Sequence, residues 1–171
     1  MSGKRHYRAG MDETNDFDFL LGAWTSVNKR LTEPLSGATP AWYEFPGHSV
    51  CRPFFGGAGS FEESEFPTQN FSAATVRLQD PVTGLWSIFW INSTRPESLR
   101  EAPVVGRFSD GVGIFECEDT YRERSIRVRY RWSDITADQA RYEQSFSEDE
   151  GRTWEVNWIS EFTRSRESVH S

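Results

Sequence analysis

Ten strand-like segments follow one another along this chain, and each alternates apolar and polar residues with a period of two. The first segment opens with Gly22-Ala23-Trp24, and Arg164 stands just past the last one. Short strands joined by short turns predict an all-β fold, an up-and-down antiparallel β-barrel of about 8–10 strands. Barrels of this size form cups that hold small molecules. The predicted strands are 23–32, 41–51, 59–66, 71–79, 85–92, 103–109, 112–121, 125–133, 139–147 and 154–163.

The length of 171 residues suits one domain with a substantial core, and no linker or shift in composition divides the chain. Ahead of the first strand, residues 15–21 predict a short helical turn that Asn15 or Asp16 caps and Gly22 ends. We expect this turn to plug one end of the barrel. The predicted division is a mobile N-terminal tail over 1–14, a single barrel domain over 15–165 and a C-terminal tail over 166–171.

The composition of the chain limits the classes of molecule that it can bind. Aromatic residues make up 15% of the chain, so large rings must supply much of the buried area. A net charge of −7 disfavours nucleic acid and acidic membrane surfaces. No stretch approaches the roughly 20 apolar residues of a membrane helix, and the first residues lack the apolar core of a signal peptide. We therefore predict a cytoplasmic protein in which Cys51 and Cys117 are reduced thiols and no metal is bound.

The alternation of apolar and polar residues predicts which side chains of a strand face the barrel interior and which face outward. In segment 125–133, Arg127, Arg129 and Arg131 share one side, and burying three unpaired guanidinium groups would be prohibitive. These arginines should therefore face outward, with Arg129 beside Glu143 of the next strand. The residues predicted to face inward on the last three strands are Ile126, Val128, Tyr130, Trp132, Ala140, Tyr142, Gln144, Phe146, Trp154, Val156, Trp158, Ser160 and Phe162.

The residues 80–84, Asp-Pro-Val-Thr-Gly, predict a tight hairpin between segments 71–79 and 85–92. We expect this pairing to set small residues opposite tryptophans inside the barrel. The predicted inward set is Ala74, Val76 and Leu78 facing Trp86, Ile88 and Trp90. The opposite face of the second strand carries Leu85, Phe89 and Ile91, which are too apolar to be simply solvated. Either another segment covers this face or it forms a homodimer contact.

Two connections have a recognisable character. Residues 147–154 fit the Ser-x-Asp-x-Gly-x-Thr-Trp pattern known as the Asp-box, which occurs in sialidases and there braces a hairpin away from the catalytic centre. We expect the same structural role here. The longest connection without strand character, 93–102, is predicted to form a lid over the open end.

The predicted ligand-binding residues combine inward rings with nearby polar groups. A barrel of eight to ten strands is wide enough that these side chains need not fill it. Catalytic candidates are Glu44 and His48, four residues apart, although Pro46-Gly47 between them indicates a bend and favours a surface pair. The acidic run of Glu62, Glu63 and Glu65 is predicted to be solvated. The predicted binding set is Trp86, Trp90, Asn92, Tyr130, Trp132, Tyr142, Gln144 and Trp158.

Three stretches carry a resemblance to a known family: 16–24 (DFDFLLGAW), 80–90 (DPVTGLWSIFW) and 154–158 (WEVNW). They resemble a bacterial family of unassigned function with a lipocalin-like (calycin) barrel, and the similarity runs from about residue 16 to 164. Similarity to lipocalins implies that Trp24 lies at the closed end with Arg164 stacked on it. Related intracellular barrels bind haem or fatty acids. Outside the predicted tails only His48 could ligate haem, and no inward cation is expected for a fatty acid.

We therefore predict that the barrel binds a small, largely apolar or aromatic molecule without a cofactor. The first alternative is a cofactor-independent isomerase, cyclase or dehydratase that uses a polar cavity residue such as Glu44, His48, Tyr130 or Tyr142. The second alternative is an interaction module, a filled barrel that dimerises across Phe89. No catalytic-triad, nucleotide-binding or metal-binding motif supports other enzyme classes.

Overall fold

A computed structural model describes residues 16–166 as a closed barrel of ten antiparallel strands, in which each strand pairs with the next and the last closes on the first. This lipocalin-like architecture confirms the predicted all-β barrel. The predicted tails, apart from Arg166, lie outside the described residues, as does Asn15. The strands are β1 (Gly22–Leu31), β2 (Trp42–Phe54), β3 (Gly59–Glu65), β4 (Ser72–Gln79), β5 (Trp86–Asn92), β6 (Val104–Ser109), β7 (Val112–Tyr121), β8 (Arg124–Ser133), β9 (Gln139–Ser147) and β10 (Glu155–Arg164).

A 3-10 turn, Asp18–Leu20, closes one end of the barrel and is called the plug turn below. Leu20 and the preceding Phe17 are buried, and the carbonyl of Leu20 accepts a hydrogen bond from Trp24 Nε1 at 2.8 Å. Gly22 then enters β1 with a positive φ of 103°, which a residue with a side chain rarely adopts. The prediction that Asp16 caps this turn is wrong, because its carboxylate instead accepts a hydrogen bond from Trp86 Nε1 at 3.0 Å.

Arg164 at the end of β10 seals this closed end. Its guanidinium carbon lies 4.2 Å from the centre of the Trp24 ring, as the resemblance to lipocalins implies. The same guanidinium donates hydrogen bonds to the carbonyls of Leu21 and Phe19, at 2.6 and 2.8 Å. One side chain thus ties the last strand to the plug turn and to the first strand.

The two predicted turns have their expected roles. The Asp80 carboxylate accepts the amide protons of Val82 and Thr83, and hydrogen bonding to these amides lowers the pKa of Asp80. In the Asp-box, Asp149 accepts hydrogen bonds from Ser147 Oγ and from the hydroxyl and amide of Thr153. The Asp-box braces the β9–β10 hairpin, as predicted.

The arginines of β8 face outward, as predicted, but their partners differ from the expected ones. Arg129 pairs with Glu116 of β7 at 2.7 Å, and it is Arg131 that pairs with Glu143 of β9 at 2.9 Å. The register places Glu143 opposite Arg131 and Ser145 opposite Arg129, so the predicted Arg129–Glu143 neighbours are two residues out of step.

A β-bulge in β10 reverses the faces of its first residues. The register with β9 shifts between Val156 and Trp158, so Asn157 is the additional residue. Trp158 faces inward as predicted, whereas Val156 lies opposite the outward Ser145. Trp154 was predicted to face inward and instead lies outside, under the guanidinium of Arg129 at 3.8 Å.

The predicted faces of β4 are also inverted. Ala73, Thr75 and Arg77 are buried inside the barrel, and Thr75 and Arg77 lie opposite Trp90 and Ile88 of β5. Ala74, Val76 and Leu78 therefore join the outer surface. Together with Phe89 and Val105 they form an apolar outer face across β4, β5 and β6, on which Leu78 is 42% exposed, Phe89 39% and Val105 39%.

The seam between β5 and β6 is the shortest in the barrel. β5 pairs with β6 only from Trp86 to Ile88. A 3-10 turn at Phe55–Gly57 follows β2, and a further one, Pro96–Arg100, lies beside the rest of β5 and is called the rim turn below. It is anchored where Ser98 Oγ accepts the amide proton of Asn92 at 2.9 Å. This rim turn lies within the connection predicted to form a lid. No helix within residues 16–166 is long and apolar enough to cross a membrane.

Candidate functional site

A cavity of about 460 Å³ occupies the barrel interior and opens at the end opposite the plug turn. A volume of this size contradicts the alternative of a filled barrel. Of the predicted binding set, Trp86 is the one residue that does not line the cavity, since it is buried at the closed end against Phe17. The predicted residues that do line it are Trp90, Asn92, Tyr130, Trp132, Tyr142, Gln144 and Trp158.

Trp158 is the central ring of the open half of the barrel. Its ring meets those of Phe45, Phe66 and Trp90 at centroid distances of 6.0, 6.2 and 6.2 Å. These contacts join strands β2, β5 and β10 and the residue that follows β3, so the Trp158 ring is held from several sides. The wall that it forms is large, apolar and fixed in position.

Polar groups next to Trp158 form a buried network on β1 and β10. Asn28 Oδ1 accepts hydrogen bonds from Trp158 Nε1 at 3.2 Å and from Ser160 Oγ at 2.6 Å. Its amide nitrogen donates to Ser26 Oγ at 3.1 Å. Asn28 is 1% exposed, so these bonds satisfy an amide that water does not reach. The network fixes the orientation of the Trp158 indole.

Two tyrosines lie next to each other on the cavity wall. The rings of Tyr130 on β8 and Tyr142 on β9 lie 5.3 Å apart in an edge-to-face arrangement. Burial in the barrel raises the pKa of both phenols well above the ordinary value. Both side chains are therefore neutral at physiological pH and can offer a hydroxyl to a bound molecule.

An ion pair lies inside the barrel near the plug turn. Arg77 Nη2 donates to Glu62 Oε2 at 2.9 Å, and the two side chains are 3% and 6% exposed. The Arg77 guanidinium also lies over the Phe17 ring at 5.0 Å. The expectation that the acidic run of β3 is solvated is therefore wrong for Glu62, which faces inward, and the expectation of no inward cation is wrong for Arg77.

A second cationic side chain lines the cavity nearer its mouth. Arg30 belongs to β1, and its guanidinium carbon lies 4.5 Å from the centre of the Trp158 ring. Arg30 lies opposite Trp158 in the β1–β10 register, so both side chains extend to the same face of the sheet. The cavity wall near its mouth is therefore aromatic and positively charged.

The catalytic candidates Glu44 and His48 do not form a site. Glu44 is exposed on the outer surface, where it pairs with Lys29 at 3.6 Å. His48 is exposed as well, although it borders the cavity. The surface interpretation that Pro46-Gly47 favoured fits this placement better than a catalytic pair.

Sequence reasoning missed Asn28, Arg30, Glu62 and Arg77. A signal for the first two was present, because counting in steps of two from Trp24, the residue expected inside the closed end, gives Ser26, Asn28 and Arg30. No comparable reference residue exists on β4, whose outward face is the more apolar one.

The sequence matches no protein-family model and no curated protein. Among solved structures, the barrel is similar to the S-type phycobiliprotein lyase CPES from Guillardia theta, with a TM-score of 0.59 and 12% sequence identity. The alignment covers 89% of this chain and 92% of that one. At this level of identity the similarity supports the lipocalin-like fold alone.

Proposed function

We propose that this protein binds a small molecule with an aromatic or apolar body inside its barrel. The observation that carries the proposal is the cavity of about 460 Å³ walled by Trp158, Tyr130 and Tyr142. Ligand pockets typically span about 300–1,000 Å³ and combine apolar walls with a few polar groups. Here those polar groups are the tyrosine hydroxyls and the side chain of Gln144.

Fixed walls favour binding over simple packing. The Asn28 network holds Trp158 and neighbouring rings pack around it, so little side-chain freedom is lost when a ligand enters. A flat aromatic molecule would stack on such a ring and displace water that has few hydrogen-bond partners there.

The proposal is tested with N-phenyl-1-naphthylamine, an uncharged dye whose fluorescence increases in apolar surroundings. We expect saturable binding to the protein. A change of Trp158→Phe should weaken binding about three- to tenfold, because it removes part of the cavity wall and the hydrogen bond to Asn28. Trp154→Phe is the matched control, since it makes the same change on the outer surface.

Two results would contradict binding inside the barrel. One is a wild-type protein that gives no saturable signal with the dye. The other is an equal loss of affinity in the Trp158→Phe and Trp154→Phe variants, which would place the dye outside the cavity.

A second candidate function, a cofactor-independent isomerase, cyclase or dehydratase, is supported by the Tyr130–Tyr142 pair. Two neutral phenols inside a cavity can donate hydrogen bonds to a substrate carbonyl and stabilise a developing enolate. If the protein is such an enzyme, Tyr130→Phe should reduce turnover at least about a hundredfold with little change in dye affinity. Retained turnover would exclude this role for Tyr130.

We also propose that the protein is cytoplasmic and that it forms a homodimer. A cytoplasmic location is tested by fractionating the source cells and probing each fraction with an antibody. The homodimer across Phe89 is supported by the exposed apolar outer face.

A further inference from the structure

Arg30 faces the cavity from the open half of β1. Its guanidinium carbon lies over the Trp158 ring, 4.5 Å from the ring centre. A guanidinium stacked on an indole keeps its N–H groups directed outward in the plane, where they can form two parallel hydrogen bonds to a carboxylate.

The charges that line the cavity leave Arg30 without a partner. Arg77 is neutralised by Glu62, and Arg95 at the rim by Glu101 at 2.8 Å. In the part of the chain that the structure describes, no carboxylate lies within ion-pair distance of Arg30. Glu44 lies on the neighbouring strand, but it faces outward and pairs with Lys29.

The cavity lining contains one carboxylate besides those of Glu62 and Glu101. Asp119 lines the cavity from β7, and its Oδ1 accepts the amide proton of Thr120. β7 is separated from β1 by β10, β9 and β8, so Asp119 and Arg30 lie on different sides of the cavity mouth. Asp119 is exposed to solvent and forms no ion pair with Arg30. The positive charge of Arg30 is thus available to a bound anion.

We propose that the ligand is an acid: its aromatic or apolar body fills the cavity beside Trp158, and its carboxylate or an equivalent anionic group binds Arg30 near the mouth. This inference rests on the proposed function, and it adds the chemical class of the ligand and its direction of binding. The anionic end stays near solvent, where desolvation costs least, while the body enters toward Tyr130 and Val128. Arg77 does not compete for the anion, because its charge is already balanced inside the barrel.

The test compares two dyes with the same aromatic skeleton, N-phenyl-1-naphthylamine and 1-anilinonaphthalene-8-sulfonate. The second differs by a sulfonate, which stands in for the carboxylate of the ligand. We expect the wild-type protein to bind the sulfonate dye about tenfold more tightly than the neutral dye, as hydrogen bonds to charged groups imply. Added salt should reduce this preference, since an ion pair near the mouth is screened.

The variant Arg30→Met should bring the two affinities within about twofold of each other. Arg129→Met is the matched control, because Arg129 also stacks on a tryptophan but faces outward. Arg30→Lys should retain part of the preference, since it keeps the charge and loses the paired hydrogen bonds. Circular dichroism of each variant checks that the barrel is folded.

The outcomes separate this inference from the proposal on which it rests. Equal affinity of the wild type for both dyes, or a preference for the sulfonate dye that survives in Arg30→Met, would overturn the anionic ligand while leaving cavity binding intact. Failure of the wild type to bind either dye would overturn the proposed function, and with it this inference.

Discussion

Arg77 and Glu62 form an ion pair inside the barrel, with Nη2 and Oε2 separated by 2.9 Å and both side chains less than a tenth exposed. Removing one partner leaves the other charge buried and uncompensated. We expect Arg77→Met to lower the free energy of unfolding by about 3–5 kcal/mol. The double variant Glu62→Leu/Arg77→Met should be more stable than either single variant, because no charge remains in the interior. Urea denaturation measures all three.

The matched control for this ion pair is Arg131→Met on the outer surface, where the partner is Glu143. Exposed pairs contribute under about 1 kcal/mol, so this change should cost little. If Arg77→Met and Arg131→Met destabilise the protein equally, the interior position of the Arg77–Glu62 pair is refuted.

The seal at the closed end depends on the shape of the Arg164 guanidinium. A lysine cannot stack on Trp24 and at the same time donate to the carbonyls of Phe19, Leu21 and Ala137. We expect Arg164→Lys to lower the free energy of unfolding by about 2–4 kcal/mol, measured by urea denaturation. The control Arg152→Lys lies in the exposed Asp-box turn and should leave stability unchanged. An Arg164→Lys protein as stable as the wild type would contradict the seal.

Asp149 makes the stability of the folded protein depend on pH in the acid range. Hydrogen bonds from the Thr153 hydroxyl and amide, and from Ser147, lower the pKa of Asp149 from 3.8 to about 2. A depressed pKa in the folded state stabilises the protein above the unfolded-state pKa, and this contribution is lost as the pH falls through the folded-state value. The wild type should therefore melt higher than Asp149→Ala at neutral pH, and the difference should shrink between about pH 4 and pH 2. A difference in melting temperature that is independent of pH would contradict this cause.

The apolar outer face predicts self-association. No described segment covers Phe89, Leu78 or Val105, all of which are more than a third exposed. We expect the wild type to sediment as a dimer and Phe89→Lys as a monomer, because the new charge would be buried in the interface. The control is Val27→Lys, which changes an apolar residue that is 52% exposed on β1, three strands away from β4. A monomeric wild type would refute the dimer.

Much of this barrel could be predicted because its turns are marked by local chemistry. The bounds predicted for β7 and β9 agree with the structure, and those of the other strands differ by three residues or fewer. Asp80 and Asp149 accept hydrogen bonds from backbone amides two and four residues further along the chain. The local sequence therefore contains the information for both turns.

It was harder to predict which side chains face the barrel interior and which face outward. The errors have two physical causes. The bulge at Asn157 adds one residue to β10, which moves Trp154 to the outer surface although the alternation in the sequence is unbroken. On β4, apolarity suggested the wrong face, because the outer surface carries Val76 and Leu78 while the interior accepts Arg77. The charge of Arg77 is compensated by Glu62 on another strand, and no local pattern records that pairing.

The short seam between β5 and β6 has a consequence for the exchange of ligand. Beyond Ile88, β5 is bonded to β4 on one side and flanked by the rim turn on the other, so this stretch can separate from its neighbour without breaking a long ladder of hydrogen bonds. Local opening there would widen the mouth while the other nine seams stay paired. For a ligand bound as proposed, we therefore expect the residence time to depend on local opening at the rim turn and not on unfolding of the barrel.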